Sequence, residues 1–160
     1  MIEVPEMTPQ EISEYLTQPL IAKIATTNAD GSAQLSPVWF YYIDGALYIA
    51  TYEKAVKVSN LKRNAAGSLL VDSTDGGIKL RGVLFKGEVE FVRGEECKKI
   101  EKMIYDKYLT PEITQGDAIA ANFKRLALAS EDSICIRFKP NKTMSWDYTR
   151  MKAEEMRTLY

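Results

Sequence analysis

Two Asp-Gly pairs, Asp30-Gly31 and Asp44-Gly45, punctuate a stretch rich in β-branched and aromatic residues, and they constrain the fold more than any other feature. A tight hairpin turn needs positive φ at its centre, which Asp-Gly adopts at little cost. Strands are therefore expected over residues 20–27, 32–43 and 46–50, paired antiparallel by short connections. Further strands follow over 68–73 and 78–92, separated by the turn Asp75-Gly76-Gly77. Gly82 and Gly87 interrupt the second of these, and glycines inside a long strand mark bulges or sharp bends of the kind a closing barrel needs. Two more strands, 133–139 and 143–146, flank Pro140-Asn141.

Helices punctuate this pattern. Thr8-Pro9-Gln10-Glu11 is a capping box with proline at the first helical position, and its helix runs to about Thr17 before Pro19. A short helix is expected over 54–63, with Lys62-Arg63 suiting its end and Asn64-Ala65-Ala66-Gly67 stopping it. From 95 to 108, Cys97, Ile100, Ile104 and Tyr108 share one helical face. From 117 to 128, Ile119, Phe123 and Leu126 form a second stripe, and core packing accounts for both. The fold class is mainly β (α+β): six or seven antiparallel strands in a small barrel with peripheral helices. From Asp147 onward the chain is charged, either disordered or an arm reaching a partner subunit.

At 160 residues a single domain with a real core is expected. A formal charge of −1 gives no electrostatic footprint for nucleic acid or anionic membrane, and no apolar run approaches a spanning helix. The first residues are acidic, with no secretion signal, so a cytoplasmic location is expected. Cys97 and Cys135 match no metal spacing and read as two buried, reduced thiols. Histidine is absent. That excludes Ser-His and Cys-His nucleophiles and histidine-based zinc or iron sites, so chemistry near neutral pH falls to a cofactor or to shifted Lys, Tyr, Asp or Glu.

The cations at the start of the second helix are placed against the helix field. A helix start carries partial positive charge and unpaired N–H groups, yet Lys54 and Lys57 stand there, three apart on one face, behind Thr51 as cap or near-cap. An anion between them reverses that penalty; a phosphate would take the hydroxyl, the free N–H groups and two ammonium groups together. The alternative is two solvated lysines partly offset by Glu53. Upstream, Ser36-Pro37-Val38-Trp39-Phe40 breaks a strand with proline, marking an edge or bulge whose N–H groups can face a planar heteroaromatic, with Trp39 as an apolar wall. Its plain alternative is an edge strand carrying a core tryptophan.

In their order these pieces resemble the pyridoxamine 5′-phosphate oxidase-related, FMN-binding split β-barrel family. The resemblance runs from about Leu20 to Asp147. It is carried by Ile24-Ala25-Thr26-Thr27 before Asp30-Gly31, Pro37-Val38-Trp39-Phe40 before Asp44-Gly45, Thr51 with Lys57 and Asn60-Leu61, Arg81 and Gly87, and Lys139-Pro140 before Ser145-Trp146-Asp147. It implies a single FMN-binding split-barrel domain over 1–147 followed by a charged tail, 148–160, in a homodimer holding FMN at its interface. By the same resemblance, Ser36, Pro37, Val38 and Trp39 lie along the isoalloxazine, Ala50, Thr51 and Lys57 approach the ribityl phosphate, and Trp146 closes over the flavin from the partner. Lys54 is added from its spacing, and Arg81 as a further cation whose alternative is a surface ion pair.

The departures bear on substrate. Where the oxidases proper carry an Arg-Lys pair at the phosphate, this chain has Val56-Lys57; where a glutamine follows the arginine, it has Gly82; their histidine-bearing terminal segment has no counterpart. Vitamin B6 oxidation is not the expected reaction. The expected activity is an oxidoreductase whose flavin passes hydride or electrons to a small molecule, with no catalytic acid or base assigned beyond the nearby Tyr41, Tyr42 and Tyr52. Rival readings are a deazaflavin-dependent reductase, a non-catalytic flavin- or haem-binding protein, and a cofactor-free interaction barrel.

Overall fold

A computed structural model of the chain describes residues 3–74 and 80–157. Helix α1 (Pro9–Tyr15) is followed by strands β1 (Ala22–Thr27), β2 (Ala33–Val38), β3 (Tyr41–Ile43) and β4 (Ala46–Tyr52). Helix α2 (Val56–Arg63), strands β5 (Ala66–Thr74) and β6 (Leu80–Val92), and helices α3 (Gly94–Tyr108), α4 (Pro111–Thr114) and α5 (Ala118–Ala129) come next. Strand β7 (Ser133–Asp147), a 3₁₀ turn at Tyr148–Arg150 and helix α6 (Ala153–Met156) complete the order.

All seven strands form one antiparallel sheet in the order β2-β1-β5-β6-β7-β4-β3. Its two edge strands, β2 and β3, share no ladder among the described residues, so the sheet is split rather than closed. It nevertheless curls round a single interior. Ile24 of β1, Leu69 and Val71 of β5, Val83 and Phe85 of β6, Phe138 of β7 and Ile49 of β4 fall in one buried cluster with Tyr15 and Leu16 beside α1. Strand alternation sends these side chains to one face and their neighbours to the other. On that other face α3 packs against β4 and β7 through Cys97, Ile100, Ile104 and Tyr108.

The expected signals act as argued, with instructive exceptions. Thr8 and Glu11 make the reciprocal capping box. Asp44 and Gly45 adopt φ of 51° and 76°, the paired positive values of a tight hairpin turn. A register shift falls at Lys86/Gly87, where Pro140 sits opposite Gly87. Pro140 therefore bulges one continuous strand, β7, instead of dividing two, because the bulge absorbs its missing donor. The stop after α2 falls where expected, with Asn64 as C-cap in extended conformation, but Ala66 and Gly67 already belong to β5. The expected turn at Asp75-Gly76-Gly77 and the strand start at Ile78 lie outside the described residues.

Two expectations are corrected. The α5 stripe is not core: Ile119, Phe123 and Leu126 are 78%, 42% and 54% exposed, and Ala127 is the helix's buried residue. A helical stripe fixes which side chains share a face, but not whether a neighbour covers it. The segment after Asp147 also folds against the domain as far as it is described. Arg150 bridges Asp147 and Glu11, and Met156 is buried.

Candidate functional site

Helix α2 is seated by its own sequence. Val58 and Leu61 are buried beneath it, and Asn60, 3% exposed, donates to Thr26 Oγ1 at 3.0 Å and Asn28 Oδ1 at 2.9 Å. Arg63 adds bonds to the Asn60 side-chain oxygen at 2.8 Å and the Thr27 carbonyl at 3.0 Å. This buried amide network fixes α2 against the end of β1 and thereby aims the helix's N-terminus. Asn60 entered the resemblance only as a motif letter; its donor and acceptor geometry explains why an amide stands there.

At that N-terminus the details differ from the sequence reading. Strand β4 continues through Thr51 to Tyr52, and the N-cap is Ala55, whose side chain makes no capping bond. Thr51 is therefore a strand residue opposite Ile134, not a cap. Lys54 precedes the cap in an exposed turn, so the three-residue helical spacing that placed it on a face with Lys57 does not apply. Lys57 is in the first turn, which contains no acidic residue.

Lys57 is the informative cation. It is half-buried, desolvation lowers its pKa, and among the described residues its ammonium has no carboxylate or hydrogen-bond partner. Glu53, the nearest acid in sequence, is turned away to Lys62 of α2 and to Arg93 at 3.1 Å. Those bonds, Lys62 first, hold the Glu53 carboxyl below its ordinary range. A partly desolvated charge left unpaired at a helix start destabilises the chain until an anion meets it. The hydroxyls of Thr51 and Ser36 likewise have no protein partner among the described residues.

Ser36 and Pro37 lie on β2, an edge strand, as the proline required. One side of its backbone faces no strand, so N–H groups there are open to a ligand. Val38 is buried at the strand end. Trp39 turns onto α3, where its ring stacks on Tyr108 at 5.1 Å and 9° and meets Tyr105 and Phe123 edge-on at 6.2 and 6.3 Å. Ile21, Pro37, Val38, Trp39 and Phe123 line a cavity of about 370 Å³ without a single charge. Trp39, just beyond β2, and Ala50 of β4 pack against the same buried cluster. The tyrosines and phenylalanine that hold Trp39 come from helices 60 or more residues downstream, a pairing no local pattern signals.

Arg81 and Trp146 form a separate group within one chain. Arg81 lies over the Tyr15 ring at 5.0 Å, and its Nε is 3.4 Å from Asp147, a carboxylate only 3% exposed. Its ion pair is thus half-buried rather than at the surface. Trp146 sits opposite Gly82 in the β6–β7 ladder, twelve residues along β7 from the partner of Thr51. Tyr41 and Tyr42 line a different cavity, of about 420 Å³, beside Lys107, and Tyr52 is exposed. No group of His, Cys, Asp and Glu among the described residues could hold a metal ion. Among them, too, no helix is long and apolar enough to cross a membrane.

These residues suit a ligand with an anionic tail and a flat apolar body. The anionic part of such a ligand would fall to Lys57, Thr51 and the α2 N-terminus, and its flat part to the β2 edge and the uncharged Trp39 cleft. The chain matches the pyridoxamine 5′-phosphate oxidase family over residues 8–132, and it belongs to that family. No curated protein matches it. Among solved structures, it is similar to the conserved hypothetical protein Rv2991 of Mycobacterium tuberculosis, with 25% identity, 92% of this chain and 89% of that one covered, and a TM-score of 0.73. An F420 reductase is 26% identical over 88% of this chain and 98% of its own, with a TM-score of 0.63. The haem storage protein HutZ of Vibrio cholerae, 14% identical over 87% and 94% with a TM-score of 0.66, shares the fold.

Proposed function

We propose that this protein is an FMN-dependent oxidoreductase that works as a homodimer. The observation that carries the reading is the unpaired, half-buried ammonium of Lys57 at the start of α2. A phosphate monoester carries about −1.5 to −2 at neutral pH, and one ammonium with a helix N-terminus offers roughly +1.5. Lys54, exposed and unpaired two residues before the first residue of α2, supplies the remainder. Thr51 and Ser36 donate hydroxyl hydrogens to phosphate or ring acceptors, and Trp39 with Pro37 bounds the apolar part of the ring system. When bound, the flavin would accept and pass on a hydride or single electrons; the protein fixes its position and excludes water from one side.

Large apolar residues left open in one chain support the dimer. Leu35 on β2 is 63% exposed and Val56 at the start of α2 is 59% exposed. A second copy covering them would also screen the Lys57 region from solvent.

A second reading, a deazaflavin coenzyme in place of FMN, is favoured by the 26% identity to a protein described as an F420 reductase. Its phosphate would use the same lysine. The absorption spectrum of the protein as purified, followed by titration of the apo-protein with each coenzyme, separates them. Submicromolar binding of FMN with a perturbed flavin spectrum supports the first reading. Binding of the deazaflavin alone supports the second, and binding of neither removes both.

A further inference from the structure

The two cysteines, 38 positions apart in sequence, meet in the fold. Cys97 in α3 and Cys135 in β7 bring their Sγ atoms to 2.7 Å, and both residues are at most 1% exposed. A disulfide needs about 2.05 Å between sulfurs, so closure asks for a shift of well under an ångström. Both sides of the pair are held. Cys135 is laddered to Ala50 on β4 and to Val92 on β6, and Cys97 is seated by Ile100, Ile104 and Tyr108 of its own helix. Lys98, next in sequence, ties α3 to the β7 start through Ser133 Oγ at 3.2 Å and to Glu101 at 3.1 Å.

We propose that Cys97 and Cys135 are a redox pair that closes to an intrachain disulfide, fastening the first turns of α3 to the strand that backs Ala50. The roles of the sulfurs differ. The Cys135 thiol donates to the Cys97 carbonyl oxygen at 3.4 Å, and its sulfur also lies beside the Cys97 sulfur. Contact with Cys135, backed by Lys98 and Arg93, lowers the Cys97 thiol's pKa against the opposing effects of burial and the Glu101 charge, whereas contact with Cys97 and then burial raise that of Cys135. Cys97 is therefore the attacking sulfur and Cys135 the resolving one.

Tyr48, Ala50, Val92 and Ile100 pack round the pair with the Lys98–Glu101 ion pair beside it, and the burial of both cysteines selects a small oxidant. With hydrogen peroxide, the Cys97 thiolate attacks one oxygen; the S–O bond forms, the O–O bond breaks, and hydroxide leaves. Cys135 sulfur then attacks the sulfenic sulfur; the S–S bond forms, the S–O bond breaks, and water leaves with the Cys135 proton. Two thiols lose two electrons, and peroxide is reduced to two waters. The inference is independent of which coenzyme, if any, the protein binds.

The test treats the native full-length protein with a few equivalents of peroxide, quenches in acid and alkylates after unfolding. The expected product has lost two hydrogen masses, yields a tryptic peptide joining Cys97 to Cys135, and reverts with dithiothreitol. A crosslink spanning this loop should raise Tm by on the order of 10 °C. Cys135→Ala should instead accumulate a sulfenic or sulfinic Cys97 and show no rise. Two alkylatable thiols after peroxide, a bridge between chains, sulfinic acid on Cys97 of the unsubstituted protein, or an unchanged Tm in the bridged form would each overturn the proposal. The mass measurement needs no variant, so it stands if Cys135→Ala fails to fold.

Discussion

The indole of Trp146 lies across Gly82, its partner in the β6–β7 ladder, so closely that a Cβ on Gly82 would stand 2.4 Å from the ring. Gly82 thus keeps a flat bed for the tryptophan, and this is why the strand carries a glycine there without a bulge. Gly82→Ala should expel the indole from that bed, changing near-UV circular dichroism and Trp fluorescence and costing about 1–3 kcal/mol in urea unfolding. An unchanged aromatic spectrum would show that the ring does not rest on the glycine.

Gly87 poses a harder obstacle, since its Cβ would come within 2.1 Å of the Lys139 backbone oxygen. Backbone in a ladder cannot swing aside as a ring can. Gly87→Ala is expected to destabilise more than Gly82→Ala, by roughly 3 kcal/mol or above, and a denaturation midpoint falling less than that of Gly82→Ala would contradict this ranking.

Lys57→Ala should weaken FMN binding by about 1.5–3 kcal/mol, the range for a hydrogen bond to a charged group, while Lys57→Arg retains most of the affinity. Because the ammonium is half-buried and unpaired, Lys57→Met should leave the apo-protein no less stable, and even raise its Tm. Flavin titration and thermal melts of the same samples separate the two effects. Equal loss of both affinity and apo stability would make Lys57 a structural residue.

Lys54, exposed and outside the helix, should matter less and more variably. Lys54→Ala is expected to reduce affinity by under about 1 kcal/mol at low salt and by nothing measurable at 1 M, where screening lengths fall to about 3 Å. A loss matching that of Lys57→Ala at every ionic strength would place Lys54 in direct contact with the ligand.

Stability above neutral pH should show the burial of Lys107. Its ammonium donates to the Leu16 carbonyl at 2.8 Å and to the Phe40 carbonyl at 3.2 Å, and burial lowers its pKa to about 8 from 10.5. Between those values the unfolded chain binds the proton that the folded one has released, so this contribution makes the protein more stable as pH rises from about 8 to 10.5. Burial raises the pKa of Tyr105 and Tyr108, which acts oppositely: above pH 10 the folded state keeps protons that the unfolded one loses, and stability falls. The difference in urea midpoint between the native protein and Lys107→Met should therefore climb through pH 8–10, and a flat difference would show that Lys107 does not titrate there.

What could be read in advance follows from what is local. Capping boxes, Asp-Gly turns, an edge-strand proline and the alternation of β1 and β5 depend on residues within a few positions of one another, and they determined the strand-rich class and the places of most elements. The motif order pointed to the family for the same reason, while the absence of histidine excluded whole classes of catalytic site. Helix stripes are local too, but their burial is not: α3 and α5 have stripes of similar kind, and only α3 found a sheet to cover it.

Tertiary structure alone decided the rest. It moved Thr51 into a strand and Lys54 out of a helix, because the ladder with β7 carries β4 two residues further than its composition suggests. It turned Glu53 away from Lys57, committed Arg81 to Asp147, and set Cys97 against Cys135 across 38 positions. Each of these is a contact between segments distant in sequence, where curvature of the sheet and packing of α3 set the distance. The physical reason is that side-chain chemistry is written along the chain, whereas which charge or thiol meets which is fixed only when the sheet curls and buries them together.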